Sequence, residues 1–187
     1  MDTLSHAGWG YLLLRRQGFS LARRGAVAGA APDLLYFIPL ITERIVETGW
    51  AGLLPGAARD PAIWRSDGPP LPPDLVEAYY DYYRYTHSLV ILGLAIVLTG
   101  LWRRRDRLWL TAPYVLHILM DIPTHERYLT PFLFPLSTWT IQGIAWSRPL
   151  IFWGNWLALA ATFLWLRTRQ RAQATGRQAS GSGKEAA

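Results

Sequence analysis

Long apolar runs alternate along this chain with short arginine-rich turns, and one long polar stretch interrupts them. Two runs predict helices that cross a bilayer: Tyr85–Trp102 (YTHSLVILGLAIVLTGLW) and Pro149–Leu166 (PLIFWGNWLALAATFLWL). Each corresponds to about 27 Å of helix, close to the thickness of a hydrocarbon core. Two further runs are apolar but carry polar breaks. Gly25–Ile41 is interrupted by Pro32 and Asp33, and Leu108–Ile122 contains Pro113, His117 and Asp121. Thr3–Leu14 predicts a short N-terminal helix that does not span alone. Trp50–Pro73 is rich in Pro and Gly and has no helical period, so it reads as a loop. Asp74 then reads as the N-cap of a short helix leading into Tyr79–Tyr85 (YYDYYRY), whose rings suit an interfacial aromatic belt. The pattern predicts an all-α membrane protein, a bundle of about four to five helices with a short N-terminal helix and a Pro/Gly-rich outer loop. Residues 1–166 would form the embedded domain and 167–187 a disordered basic tail.

Composition agrees: half of the residues are apolar, 17% are charged and ten are Trp, a mix that suits lipid better than a soluble core. The N-terminal apolar run is followed rather than preceded by Arg15 and Arg16, so no cleaved signal peptide is expected. The formal charge of +6 changes the picture only through its placement. Basic residues cluster at Arg15–Arg24, at Arg103–Arg107 and in the tail from Arg167. The segments between them hold Glu43, Glu47, Asp60, Asp67, Asp74, Glu77, Asp81 and Glu126. All three clusters lie on one side if the Arg15–Arg24 turn and the tail are cytoplasmic, as the positive-inside rule expects of an inner (plasma) membrane protein. The positive charge is then topological, and nucleic acid is not an expected partner.

Candidate chemistry rests on the four histidines, His6, His87, His117 and His125, each in or beside an apolar segment, with Asp33 and Asp121 in the same segments. Ionisable groups at such depth are costly and are kept for function, usually in pairs. Measured from the nearest arginine cluster, His6, Asp33 and His117 lie roughly 14 Å deep, Asp121 about 21 Å and His87 about 24 Å. His117 and Asp121 are four residues apart, on one helix face, and Pro123 predicts a helix end before His125. With no cysteine in the chain, a metal would be held by nitrogen and oxygen, which favours Zn2+, with manganese or iron as alternatives. Each residue also has a plainer reading. Asp33 could cap a helix restarting after Pro32, His87 could be an interfacial cap, His117–Asp121 could be a structural hydrogen bond, and Arg84 could be a snorkelling anchor.

In order along the chain, Ser5-His6-Ala7-Gly8, the small-residue run GAVAGAAPD ending at Asp33, YRYTHS with His87, HILMD with His117 and Asp121, and FLFPLS at Phe132–Ser137 resemble a known pattern. It is that of bacterial YdjM-like membrane-bound metal-dependent hydrolases, a family distantly similar to zinc-dependent phospholipase C. The resemblance covers most of the chain. It implies a metal site of His6, Asp33, His87, His117 and Asp121, with Asp33 and Asp121 as catalytic carboxylates. Many family members continue Pro-Asp-x-Asp-His, whereas Leu35 and Tyr36 stand at the last two positions here; His125 is an added candidate ligand. A single zinc is therefore expected. Arg84 would face an anionic group of a lipid or lipid-linked phosphoester substrate. Two other expectations remain open: a non-enzymatic protein with a structural metal, and a transporter or proton relay using a helix broken at Pro32–Asp33.

Overall fold

The structure is a computed structural model that describes residues 1–49 and 73–182; the predicted loop at 50–72 lies outside the described residues. Among the described residues the chain is all-α, with no strand. Helix α1 (Thr3–Leu14) has the predicted bounds, and its N-cap Asp2 accepts from the backbone N–H of Ser5. A single turn, Arg15–Gln17, and Gly18 at φ 122° reverse the chain into α2 (Phe19–Thr48). The helices α3 (Pro73–Thr86), α4 (Leu89–Leu98), the one-turn α5 (Arg105–Leu108), α6 (Thr111–Thr124) and α7 (Pro149–Ser182) follow.

Three differences from expectation matter. First, α2 is continuous through Pro32 and Pro39. Proline removes one ladder donor and loosens a turn, but here the fully buried Pro32 is held by the surrounding helices, so Asp33 caps nothing. Secondly, Tyr85–Trp102 is not one helix. It breaks at His87-Ser88, where the Ser88 side chain accepts from the N–H groups of Val90 and Ile91 and starts α4. The ten-residue α4 is about 15 Å long and ends before Gly100, whose φ of 65° suits glycine. Among the described residues, two helices are long and apolar enough to cross a membrane, over Phe19–Glu43 and Pro149–Gln173, and Leu89–Leu98 is a shorter apolar helix. Thirdly, α7 remains helical to Ser182, through most of the segment read as a disordered tail. Asp74 is the second residue of α3, which starts at Pro73.

α1 lies against α2 at backbone contact. A Cβ on Gly29 would meet the His6 carbonyl at 2.6 Å, and one on Gly25 would meet the Gly10 carbonyl at 2.5 Å, so only glycine permits the approach. α2 also packs on α3 and α6, and α1 on α6 and α7. The core of buried residues is aromatic: Tyr36, Tyr79, Tyr83 and Tyr128 close on Leu40. The expected tyrosine belt is therefore divided, with Tyr79 and Tyr83 inside and Tyr82 and Tyr85 exposed. α7 carries most of its apolar surface outward, including Leu150, Trp153, Leu157 and Leu164.

Candidate metal centre

Each inward-facing polar group owes its position to a local feature. On α6, helical spacing puts His117 and Asp121 on one face, and the helix ends at Thr124, with His125 extended beyond it. The terminal carbonyls of α6 are not left bare: Ile144, Trp146 and Gly143 donate their N–H groups to Pro123, Thr124 and His125. On α2 the continuous helix carries Asp33 inward, next to Pro32. Between α3 and α4, the break of the apolar run turns His87 into the interior, where it is fully buried.

Asp33, His87, His117 and Asp121 converge from α2, the α3–α4 break and α6. One donor atom of each lies within 4.8 Å of those of the others, and all four residues are buried. His87 Nε2 faces His117 Nε2 at 3.1 Å. Asp121 Oδ2 is 3.2 Å from His117 Nε2 and 3.5 Å from His87 Nε2. Asp33 Oδ1 is 3.5 Å from His87 Nε2 and 3.6 Å from His117 Nε2. The arrangement could hold a metal ion.

The outward atoms of these side chains are engaged as well. His117 Nδ1–H donates to the Gly29 carbonyl at 2.6 Å, and His87 Nδ1–H to the Tyr83 carbonyl at 3.2 Å. These bonds place a hydrogen on Nδ1 in both rings, so that each Nε2 can offer a lone pair to the centre. Thr3 donates its hydroxyl to Asp33 Oδ2 at 2.6 Å, and His6 Nε2 bonds Asp121 Oδ1 at 2.9 Å. The Met1 amino group also contacts Asp121 Oδ1.

Two of the residues read as ligands lie outside the four-donor group. His6 stacks on His117, with ring centroids 3.6 Å apart and planes 21° apart; its buried Nδ1 has no hydrogen-bond partner among the described residues. His125 Nδ1 lies 3.0 Å from the Tyr83 hydroxyl and 3.3 Å from that of Thr130. Arg84 pairs with Asp81 on its own helix and lies over the Phe134 ring, 4.8 Å from its centroid. Tyr36, at a position where the resembled pattern has histidine, bonds the Tyr128 hydroxyl at 2.8 Å within the aromatic core.

Tyr83 and Thr3 are site neighbours that the sequence reading did not single out. The Tyr83 ring stacks on His87 at 3.8 Å, and its hydroxyl also bonds Thr130 at 2.8 Å. Its spacing of four residues from His87 on a helical segment was the available signal; for Thr3 there was none. Further out, burial pushes the phenols of Tyr80 and Tyr128 above their usual range. Both stay neutral, and Tyr80 donates to the Leu129 carbonyl at 2.7 Å.

Comparison of the chain with protein-family models, with curated proteins and with solved structures finds no match.

Proposed function

We propose that this is a multi-pass inner-membrane metalloprotein that holds one divalent cation, Zn2+, on Asp33, His87, His117 and Asp121, and that it is a metal-dependent hydrolase. One observation carries the reading: two imidazole Nε2 atoms and two carboxylate oxygens face one another in a buried space while their outward atoms are already bonded. With both Nε2 atoms unprotonated, the four donors repel one another, and a cation at their centre removes the repulsion. Two carboxylates balance a divalent charge, and an N/O donor set of this kind suits zinc. Imidazoles whose far nitrogen donates to a carbonyl are typical outer partners of such a site.

The membrane setting is supported by the two long apolar helices and the outward apolar face of α7, together with the arginine clusters, which favour a cytoplasmic tail. The hydrolase reading is supported by the motif resemblance to membrane-bound metal-dependent hydrolases. When bound, the metal would supply a Lewis acid and an acidified water. The carboxylates of Asp33 and Asp121 would help to hold the metal, and the substrate would be a lipid or lipid-linked phosphoester. Complete enclosure favours a second reading, a structural metal without catalysis, because structural zinc sites are closed and catalytic ones keep a position open. The transporter reading loses the broken helix at Pro32–Asp33, since α2 is continuous there, and keeps the His/Asp cluster alone.

Metal analysis of detergent-purified protein tests the centre. We expect about one zinc per chain, lost in His117→Ala; a wild-type protein that takes up no zinc, manganese or iron would refute it. Chelator-sensitive cleavage of phosphodiester or phospholipid substrates, lost in Asp33→Asn, separates the enzyme from the structural reading.

A further inference from the structure

Helix α1 touches the centre through two residues, Thr3 and His6, one turn apart on the same face. Each bonds one carboxylate of the donor group: Thr3 the Oδ2 of Asp33, His6 the Oδ1 of Asp121. In both cases the bonded oxygen is the one that does not face the two imidazoles, which meet Asp33 Oδ1 and Asp121 Oδ2 instead. The oxygens of the two carboxylates are thus divided between α1 and the centre.

The ring geometry separates His6 from the histidines that face the centre. A nitrogen ligand binds a metal along a lone pair in its own ring plane, with zinc about 2 Å away. The rings of His87 and His117 are inclined at 58° and bring their Nε2 atoms together, so both lone pairs can meet one ion. The rings of His6 and His117 are stacked 3.6 Å apart with planes only 21° from parallel. Planes so disposed share no point within a bond length of both nitrogens. His6 Nε2 is, moreover, already committed to Asp121 Oδ1.

We propose that α1 supplies no ligand to the metal and that Thr3 and His6 are positioning residues, each holding the outer oxygen of one carboxylate so that Asp33 and Asp121 bind monodentately. This rests on the metal-centre reading above and adds the number and kind of its ligands, which are two imidazoles and two single carboxylate oxygens. The backbone contact of Gly25 and Gly29 with α1 gives the helix its reach, since a short hydroxyl such as that of Thr3 bonds Asp33 only if the two helices lie this close.

The test is zinc affinity, measured by competition with a chromophoric chelator in detergent, together with X-ray absorption of the zinc-loaded wild-type protein. Absorption should count two imidazoles. Thr3→Val and His6→Ala should keep a zinc site but weaken it roughly 10- to 100-fold. Thr3→Ser and His6→Gln should recover most of the loss, because each restores a donor to the carboxylate. His117→Ala should lose the metal outright. Three imidazoles in the absorption data, or a His6→Gln protein as metal-free as His117→Ala, would make His6 a ligand and overturn the proposal while leaving the metal centre intact. Unchanged affinity in Thr3→Val would equally overturn it. A wild-type protein without metal would instead refute the centre on which it rests.

Discussion

Tyr83 illustrates how much one side chain can hold in place. Its ring covers the face of His87, its carbonyl takes the His87 Nδ1 proton, and its hydroxyl meets His125 and Thr130. These roles can be separated by substitution. Tyr83→Phe keeps the ring and the carbonyl and strips only the hydroxyl, so His125 and Thr130 each lose one partner but keep each other, at a cost of about 0.5–1.5 kcal/mol. Thermal unfolding in detergent should show that loss while zinc content stays near wild type. Tyr83→Leu removes the ring as well and should also weaken zinc binding; equal zinc affinity in the two variants would show that stacking contributes nothing to His87. At this scale the sequence was legible where spacing carries the information. His117 and Asp121 were paired correctly by their helical interval. Thr3 was not, because a hydroxyl near a chain start has no pattern that distinguishes it from a solvated residue. His6 could be placed near the centre by depth and His125 by its continuation of the His117–Asp121 row, but neither says which way a ring points.

Among the elements, the α1–α2 hairpin is the most sensitive to change. Gly25→Ala or Gly29→Ala puts a methyl into the backbone of α1, where no side-chain rotation relieves it, and the helices must separate. We expect a loss of about 1–3 kcal/mol from the overpacking, with weaker zinc binding because Thr3 and His6 retreat with α1. Gly93 and Gly154 are the controls: a Cβ at either meets nothing within 4 Å, so alanine there should be neutral or add about 0.5–1 kcal/mol of helix stability. Equal effects at all four glycines, in thermal unfolding and zinc titration, would contradict close packing as the cause. The element boundaries also show what hydropathy conceals. α1 was read to the residue because its apolar run is bounded by a cap and by arginines. Tyr85–Trp102 was read as one crossing because an apolar average does not register a Ser88 cap within it. Pro32 was read as a break because proline usually is one, and only tertiary packing reveals that the helix continues.

For the whole molecule, the outward apolar surface of α7 and the polar centre enclosed by the other helices invert the usual soluble arrangement. An outward apolar face of this kind suits apolar surroundings, as the proposed membrane setting would supply. The proposed orientation can be tested directly, because the chain has no cysteine of its own. Both Gln142, between α6 and α7, and Arg104, between α4 and α5, are exposed. A cysteine at position 142 should react with an impermeant thiol reagent in intact cells, and one at position 104 only after lysis. The opposite pattern would reverse the topology, and labelling of both in intact cells would remove the membrane separation. The all-helical class was readable from the sequence because the apolar runs and arginine turns are physical requirements of such a chain. The number of full-length membrane helices was not, since the Ser88 cap leaves α4 only ten residues long and composition alone does not disclose it.

The break that presents His87 depends on a distant part of the chain. Ser88 donates its hydroxyl to the Phe134 carbonyl, and the Leu89 N–H bonds the Phe132 carbonyl at 2.9 Å. The segment beyond α6 therefore acts as a latch on the turn, and it continues into Leu136 and Trp139, both exposed. On the proposed topology that latch faces the outside of the cell. An antibody fragment or peptide that grips Leu136 and Trp139 and draws the segment away would unseat His87 without entering the bilayer, so an inhibitor of this centre need not reach it.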